Sequence, residues 1–447
     1  YPSTHTYPYI HESMTTPKQP FESAASGLVA ESQHPLLQLR QLDVKVEELR
    51  KIGDIEAVVE CRIKQVALHK VLHHLNQFPV SDLIYAHLAL AEAYAEGAFC
   101  KQAGDHLEQA KTIAIGAFLV DSDKDAVKAS IQLVDATLQL ANGALGRAKK
   151  CCDIAESLVL KAFGRDSIQD AQLRQIAGQV AYIEEDYQTA AMNFSTVTRI
   201  REKLDGPDKV SDDTICWRLR FAEMLAANEQ RSEAIEEQEK AVQALRHTPH
   251  LVSLYLEASC RLAEWLEREG PSEDGRALAI LQEADVVATA ADANADEAAN
   301  ALATAQADLV TANQEGNPQR YDEALKNVQN LEFEAAKVQR LRPEAGRMVE
   351  LQRDIGLLHL KLRNIDLGLE TLSRVEYLER RLHGSRSLQV ARTLKAIGTI
   401  HMEVGAFGLA KDYLLRSLDI FLILPDPAQS RDTIRDIRLK LGQLPPS

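Results

Sequence analysis

The chain has 447 residues, 45% apolar and 5% aromatic side chains, and a formal net charge of −15. A chain of this length forms two or three compact domains or one long repeat array, and so few aromatics leave alanine and leucine to fill the core. The acidic balance argues against a nucleic-acid-binding protein, because phosphate groups bind to basic surfaces, and the sequence has no run of about 18 uncharged apolar residues that would predict a membrane span.

Residues 1–35 differ from the rest of the chain, because five prolines interrupt any helical period and aromatic side chains are scattered among Ser, Thr and His. Two alternatives are open: a disordered tail, or an extended arm whose aromatics pack into a groove of this chain or of a partner. The start lacks the basic residues and the apolar run of a secretory signal. Tyr1 stands where an initiator Met is expected, which leaves open whether further residues precede it.

From residue 36 onward, amphipathic helical periods come in pairs that are separated by short turns such as EGAF, NGAL and EEDY. Each predicted second helix carries a small residue near its start, and these residues recur at intervals of 42 to 47 positions. They are Ala57, Ala103, Ala148, Ala190, Ala234, Ala277, Ala324, Gly368 and Ala410. Small side chains let two antiparallel helices approach closely, so the pattern predicts about nine stacked helix pairs.

The middle and the end of the array depart from this pattern. Residues 291–313 are rich in alanine and predict an atypical first helix of the seventh pair, with EGNPQRY as its turn, so that the atypical pair lies near residues 291–342. A hinge between two half-arrays is an alternative for this region. Residues 425–447 predict a capping helix and a tail, with Ile434, Ile437 and Leu441 turned inward.

The sequence lacks the common catalytic and phosphate-binding motifs, and it contains no CxxC pair. Its six cysteines are spread thinly, which is typical of a reduced, intracellular protein. His69 and His73 have the spacing of two metal ligands on a helix, but no third ligand is evident, so a packed or solvated face is favoured. Cys152 occupies a packing position, which favours a small apolar side chain over a redox role. We therefore expect no enzyme activity, no cofactor and no metal site.

Over residues 36–424 the chain resembles the tetratricopeptide-repeat superfamily. Its long period resembles the repeats of kinesin light chains, and the nearest match is the run GSRSLQVARTLKAIGTIHMEVGAFGLAKDYLLRSLDIF. The runs GDIEAVVECRIKQVALHK and LIYAHLALAEAYAEGAFCKQAGDHLEQAK are similar to the ciliary tetratricopeptide repeat protein twenty-three family. The resemblance implies an all-α fold, a right-handed α-solenoid of about nine antiparallel helix pairs whose first helices line a concave groove.

Carried onto this frame, the resemblance implies a set of groove residues that would bind partner segments. They are Tyr85, Glu92, Gln172, Gln175, Gln179, Tyr182, Arg353, Arg392, Lys395 and Met402. The groove would be neutral to acidic in its first and middle parts and basic at its C-terminal end, where an acidic or amphipathic partner segment is expected. Neither the Lys/Asn clamp of chaperone-binding members nor the paired Asn of kinesin light chains is present at the matching positions.

These observations predict a non-enzymatic scaffold or adaptor that binds segments of other proteins in its groove, as part of a multi-subunit complex. We expect it in the cytoplasm, within a cilium, a flagellum or another cytoskeletal assembly. Two alternatives are a fixed structural component of a large axonemal assembly and a regulatory repeat region of a longer protein.

Overall fold

The computed structural model describes residues 35–51, 53–75, 77–206, 210–315, 317–424 and 427–445, which form α-helices and no β-strand. The arm predicted for residues 1–35 lies outside the described residues, apart from Pro35. The chain divides into two compact units, Tyr1–Val180 and Ala181–Ser447. Each unit is an array of antiparallel helix pairs, which confirms the all-α repeat fold.

The first unit contains three complete helix pairs and most of a further first helix. Its helices are α1 (Pro35–Lys51), α2 (Ile55–His74), α3 (Val80–Glu96), α4 (Cys100–Gly116), α5 (Asp121–Ala141), α6 (Leu145–Ala162) and α7 (Ile168–Ile183), the last three residues of which belong to the second unit. The first helices of successive pairs lie side by side, since α5 packs against α3 and also shares a core with α7.

The second unit continues with second helices and first helices in alternation. Its helices are α8 (Tyr187–Asp205), α9 (Asp212–Ala227), α10 (Arg231–Arg246), α11 (Val252–Glu269), α12 (Asp274–Glu315), α13 (Pro318–Arg340), α14 (Ala345–Lys361), α15 (Ile365–His383), α16 (Leu388–Glu403), α17 (Phe407–Ile423) and α18 (Pro427–Gln443). A short 3₁₀ turn, Pro249–Leu251, precedes α11.

The predicted small residues lie where paired helices touch. Seven of the nine are buried, whereas Ala57 and Ala324 are half-buried. The approach is close between α14 and α15, where a Cβ added to Gly368 would lie 2.7 Å from the Leu360 side chain and 3.2 Å from the Gly356 carbonyl oxygen. Only a very small residue fits at such a distance, which explains why alanine and glycine recur at this interval.

The turns within the pairs share one backbone conformation. In seven pairs, the residue two positions before the second helix has a positive φ between 59° and 81°. These residues are Gly53, Ala98, Gly143, Glu185, Glu229, Arg363 and Gly405. Glycine adopts this left-handed conformation freely, but a residue with a Cβ pays about 1–2 kcal/mol, so several turns of this chain are strained.

One long helix replaces a predicted turn. The sequence predicts a new first helix at residues 291–313, but the structure has a single 42-residue helix, α12, that runs through this region. Residues 276–315 contain neither glycine nor proline and are rich in alanine, so nothing ends the helix. The turn predicted at EGNPQRY is present, and the Asn317 side chain caps α13 by accepting from the backbone nitrogens of Gln319 and Arg320.

The second half of α12 and the whole of α13 form an inserted hairpin, residues 289–340. The residues that the two helices turn toward each other recur at alternating spacings of three and four, as in an antiparallel coiled coil. They include Ala295, Leu302, Ala305, Leu309 and Ala312 on α12, and Ala324, Val328, Leu331, Ala335 and Val338 on α13. After the hairpin, α14 packs on α11 and on the first half of α12, so the repeat array resumes.

Replacing Arg363 by glycine is expected to raise the free energy of unfolding by about 0.5–1 kcal/mol, because φ is 66° at this exposed turn residue. The matched control is Gly143→Ala, where φ is 70° and no atom lies within 4 Å of the added Cβ. This control is expected to lower the stability by about 1 kcal/mol through the backbone alone. Urea unfolding followed by circular dichroism measures both changes, and a loss of stability in Arg363→Gly contradicts the prediction.

Candidate functional site

In the first unit, Tyr85 lies on the surface that the first helices α3 and α5 share. The residue is 37% exposed, and its hydroxyl lies near Ser130 of α5, which lowers the pKa of the phenol slightly. Partial burial and the negative charge of Asp123 raise the pKa of the Tyr85 phenol. The side chain thus stays neutral and presents an apolar ring with a polar tip to the surface, a combination that is common at protein interfaces.

Glu92, on the same helix, is a half-buried member of a charge cluster. Burial raises the pKa of its carboxyl, whereas Arg50 of α1 and Arg62 of α2 lower it. The two arginines have other partners as well: Arg50 pairs with Glu96 at 3.2 Å, and Arg62 donates to Gln65 at 2.8 Å. The structure therefore places Glu92 among groups that hold α1, α2 and α3 together.

Three glutamines lie along one face of α7. Gln172, Gln175 and Gln179 are half-buried, and their side-chain amides form no hydrogen bond within the described part of the chain. The amides of these three glutamines are therefore available to a ligand.

In the second unit, Tyr182 is exposed, and its ring is tilted against that of Tyr187 at a centroid distance of 6.3 Å.

The cations predicted for the C-terminal end of the groove are largely neutralised. Arg353 donates to the buried Glu379 at 2.7 Å, and the Lys395 ammonium lies 2.6 Å from Asp436 of α18. Of the three predicted cations, Arg392 alone is exposed without an ion pair in the described residues. Met402 is half-buried on the same helix, α16. These partners were not foreseen, because they come from elements far apart in the sequence.

An acidic surface between α11 and α14 was not predicted. Burial raises the pKa of Asp354 to about 6, with help from the negative charges of Glu267, Glu350 and Glu264. Burial and the same carboxylate also raise the pKa of the neighbouring Cys260 to about 12. The sequence does place these acidic residues at helical spacing on two first helices. The same spacing is common on ordinary solvent-exposed helix faces, so it did not single out this surface.

A pair formed by the buried His87 and the half-buried His106 lies between α3 and α4, away from the histidines that the sequence singles out. The Nδ1 atoms of His87 and His106 are 3.2 Å apart, and Tyr94 stacks on the His106 ring at 5.6 Å. Burial lowers the pKa of His87 to about 4 and also lowers that of His106, so both rings are neutral at pH 7. One Nδ1 carries a proton and donates a hydrogen bond to the other, so the two neutral rings satisfy each other without a metal ion.

The described residues contain no group of three or more His, Cys, Asp or Glu side chains arranged to hold a metal ion. His69, one of the two candidate ligands, instead packs its ring edge-on to Phe78 at 5.6 Å. Within the same residues, no helix combines the length and the apolar composition that crossing a bilayer requires.

Comparison with known proteins supports the fold. No protein-family model matches the chain, and no curated protein matches it. The structure is similar to the apo form of RapI, with a TM-score of 0.51 and 11% identity over 92% of this chain and 98% of that chain. It is less similar to BtubC (BKLC) from P. vanneervenii, with a TM-score of 0.42 and 14% identity over 58% of this chain and 92% of that one. The likeness to RapI shows a helical-repeat fold of the tetratricopeptide type.

Lowering the pH from 6.5 to 4 is expected to destabilise the first unit by up to about 3 kcal/mol through His87. In the unfolded chain this ring takes a proton near pH 6.5, whereas in the folded state it stays neutral down to about pH 4, so protons favour unfolding in this window. Hydrogen–deuterium exchange of the α3 and α4 amides measures the effect in wild type and in His87→Gln.

The variant is expected to lose less protection between pH 6.5 and 4 than wild type does. His383→Gln is the matched control, because His383 is exposed and its replacement should leave the pH dependence unchanged. Equal losses in wild type and His87→Gln contradict the assignment.

Proposed function

We propose that this protein is a non-enzymatic scaffold whose first helices bind segments of partner proteins. The observation that carries the proposal is the row of glutamine amides on α7, for which the described residues provide no hydrogen-bond partner. Arrays of helical repeats present extended surfaces of this kind, since each first helix stands beside the next. The tetratricopeptide-type fold supports the same proposal.

The chemistry of the surface in the first unit suits peptide recognition. A glutamine side chain offers two N–H donors and one carbonyl acceptor, which can bind the backbone of a segment without regard to its charge. Tyr85 adds a large ring of low conformational freedom, the type of side chain that contributes most at interfaces. We propose that Gln172, Gln175 and Gln179 hold the backbone of a partner segment and that Tyr85 contacts an apolar side chain.

We propose a second binding region in the second unit, formed by Arg392 and Met402 of α16, and we propose Tyr182 of α7 as a separate contact point. The exposed guanidinium of Arg392 favours an acidic or amphipathic segment. Arg353 and Lys395 contribute less to this preference than the sequence implies, because Glu379 and Asp436 offset their charges.

We further propose that the scaffold acts in the cytoplasm, as one subunit of a complex in a cilium or flagellum. The support is the resemblance of residues 53–70 and 83–111 to the ciliary family. Imaging of a tagged chain in ciliated cells tests this placement, and extraction of isolated axonemes with salt separates a removable adaptor from a fixed structural component. A tagged chain that is excluded from cilia contradicts the proposal.

A photo-crosslinking amino acid at Tyr85 or at Gln175 is expected to capture partner proteins, because both positions lie on the first helices. The matched control is the same amino acid at Lys150, an exposed position on the second helix α6. Mass spectrometry identifies the captured chains. Partners that appear equally at Lys150 overturn the assignment of binding to the first helices.

Once a partner is identified, Tyr85→Ala combined with Gln175→Ala is expected to weaken its binding by about tenfold. Tenfold corresponds to about 1.4 kcal/mol, a typical loss for two moderate interface contacts. Titration calorimetry with the purified partner measures the change, and Lys150→Ala is expected to leave the affinity unchanged.

A further inference from the structure

The last helix borders an open groove, which we call the terminal groove. It has a volume of about 700 Å³. Its lining includes Leu422 of α17 and Arg431, Ile434, Arg435, Arg438 and Leu439 of α18. None of these residues belongs to the sites predicted from the sequence.

The position of α18 explains why the groove is open. Ile437 is buried in the core that Val390 and Leu394 of α16 help to form, and Asp436 pairs with Lys395, so α18 packs on the preceding pair as a first helix does. No helix within the described residues covers its other side.

A complete pair shows what such a cover looks like. In the pair before α18, the second helix α17 lies directly on α16: the Ser417 hydroxyl donates to the Ala391 carbonyl at 2.7 Å, and Leu414 packs against Gly398. A helix is the element that the repeat geometry places against a first helix, so the terminal groove has the shape of a site for one more helix.

The charge of the groove indicates what kind of helix fits. Arg431, Arg435 and Arg438 follow one another at spacings of four and three residues, so their guanidinium groups share one face of α18. All three are exposed and form no ion pair within the described residues, whereas Lys440 on the opposite face lies 3.5 Å from Asp436. In a chain with a net charge of −15, three adjacent cations without carboxylate partners favour an acidic ligand.

The groove also offers an apolar contact. Leu422 is 51% exposed and Leu439 is 57% exposed, and Ile434 lies at the base between them. Exposed leucines beside cations suit an amphipathic helix that turns an apolar side chain inward and carboxylates toward the arginines.

We propose that the terminal groove binds an acidic amphipathic helix of a partner protein. The proposal goes beyond the first-helix binding described above, because it concerns the uncovered end of the second unit, and either proposal can fail without the other. A second copy of this chain is the weaker candidate, since two α18 helices in contact would bring six arginines together.

Selection from a displayed library of helical peptides tests the proposal with the full chain as bait. We expect enrichment of sequences with Asp or Glu on one face, beside leucine at helical spacing. The triple variant Arg431→Glu, Arg435→Glu and Arg438→Glu is expected to bind the selected peptides at least about tenfold more weakly than wild type does. Peptides in which Lys replaces the acidic residues should bind the triple variant more tightly than the original peptides do. Leu439→Asp should weaken binding of the acidic peptides as well.

The matched control reverses three cations of the inserted hairpin, Lys326→Glu, Lys337→Glu and Arg340→Glu, and should leave peptide affinity unchanged. Circular dichroism melting curves check that every variant is folded. The proposal is overturned if wild type enriches no more acidic helical peptides than the triple arginine variant does. It is also overturned if the selected peptides bind wild type and the triple variant equally well.

Two further outcomes also overturn the proposal. The first is arginine-dependent binding to vesicles of phosphatidylcholine and phosphatidylserine without peptide enrichment, which assigns the groove to a lipid surface. The second is concentration-dependent self-association in analytical ultracentrifugation that the triple variant abolishes, which assigns it to a second copy.

Discussion

The structure depends on how closely two antiparallel helices can approach. A single amphipathic helix pair buries too little apolar surface to be stable alone, and stacking pairs builds a shared core only if each pair is thin. Alanine or glycine at the start of each second helix sets that thickness, as the contact of Gly368 on α15 with Leu360 and Gly356 on α14 shows. The low aromatic content follows from the same requirement, because large rings at these positions would separate the helices.

The repeat was predictable because its signal is local. Small residues at a regular interval and short turns identify a helix pair without knowledge of the rest of the fold. The inserted hairpin was not predictable in the same way, because Ala-rich helices give similar patterns whether the period is 3.5 or 3.6 residues. The end of one helix and the start of the next were assigned from the expected interval, although no residue between positions 276 and 315 breaks a helix.

The candidate sites show a similar division. Tyr85 and the glutamines of α7 could be placed on first helices from the repeat frame, and the structure leaves them accessible. The partners of Arg353 and Lys395 could not be predicted, because a carboxylate that neutralises a cation can come from any neighbouring helix. The pairing of His87 with His106 was hidden for the same reason, since it depends on how two faces meet and not on spacing along the chain.

The hairpin that interrupts the second unit enters and leaves the array at nearly the same point. Arg342, just after the hairpin, pairs with Asp292 at 2.6 Å and with Asp296 at 3.0 Å, near its beginning, which joins the two ends of the insertion. Leu351 and Ile355 of α14 still pack into the core formed by α11 and the start of α12, as they would if the chain ran straight on. The 23 residues of α13 span roughly 35 Å at 1.5 Å per residue. Evolution can therefore lengthen, shorten or delete the inserted hairpin turn by turn without shifting the register of the repeats on either side. Such changes would alter how far the hairpin extends.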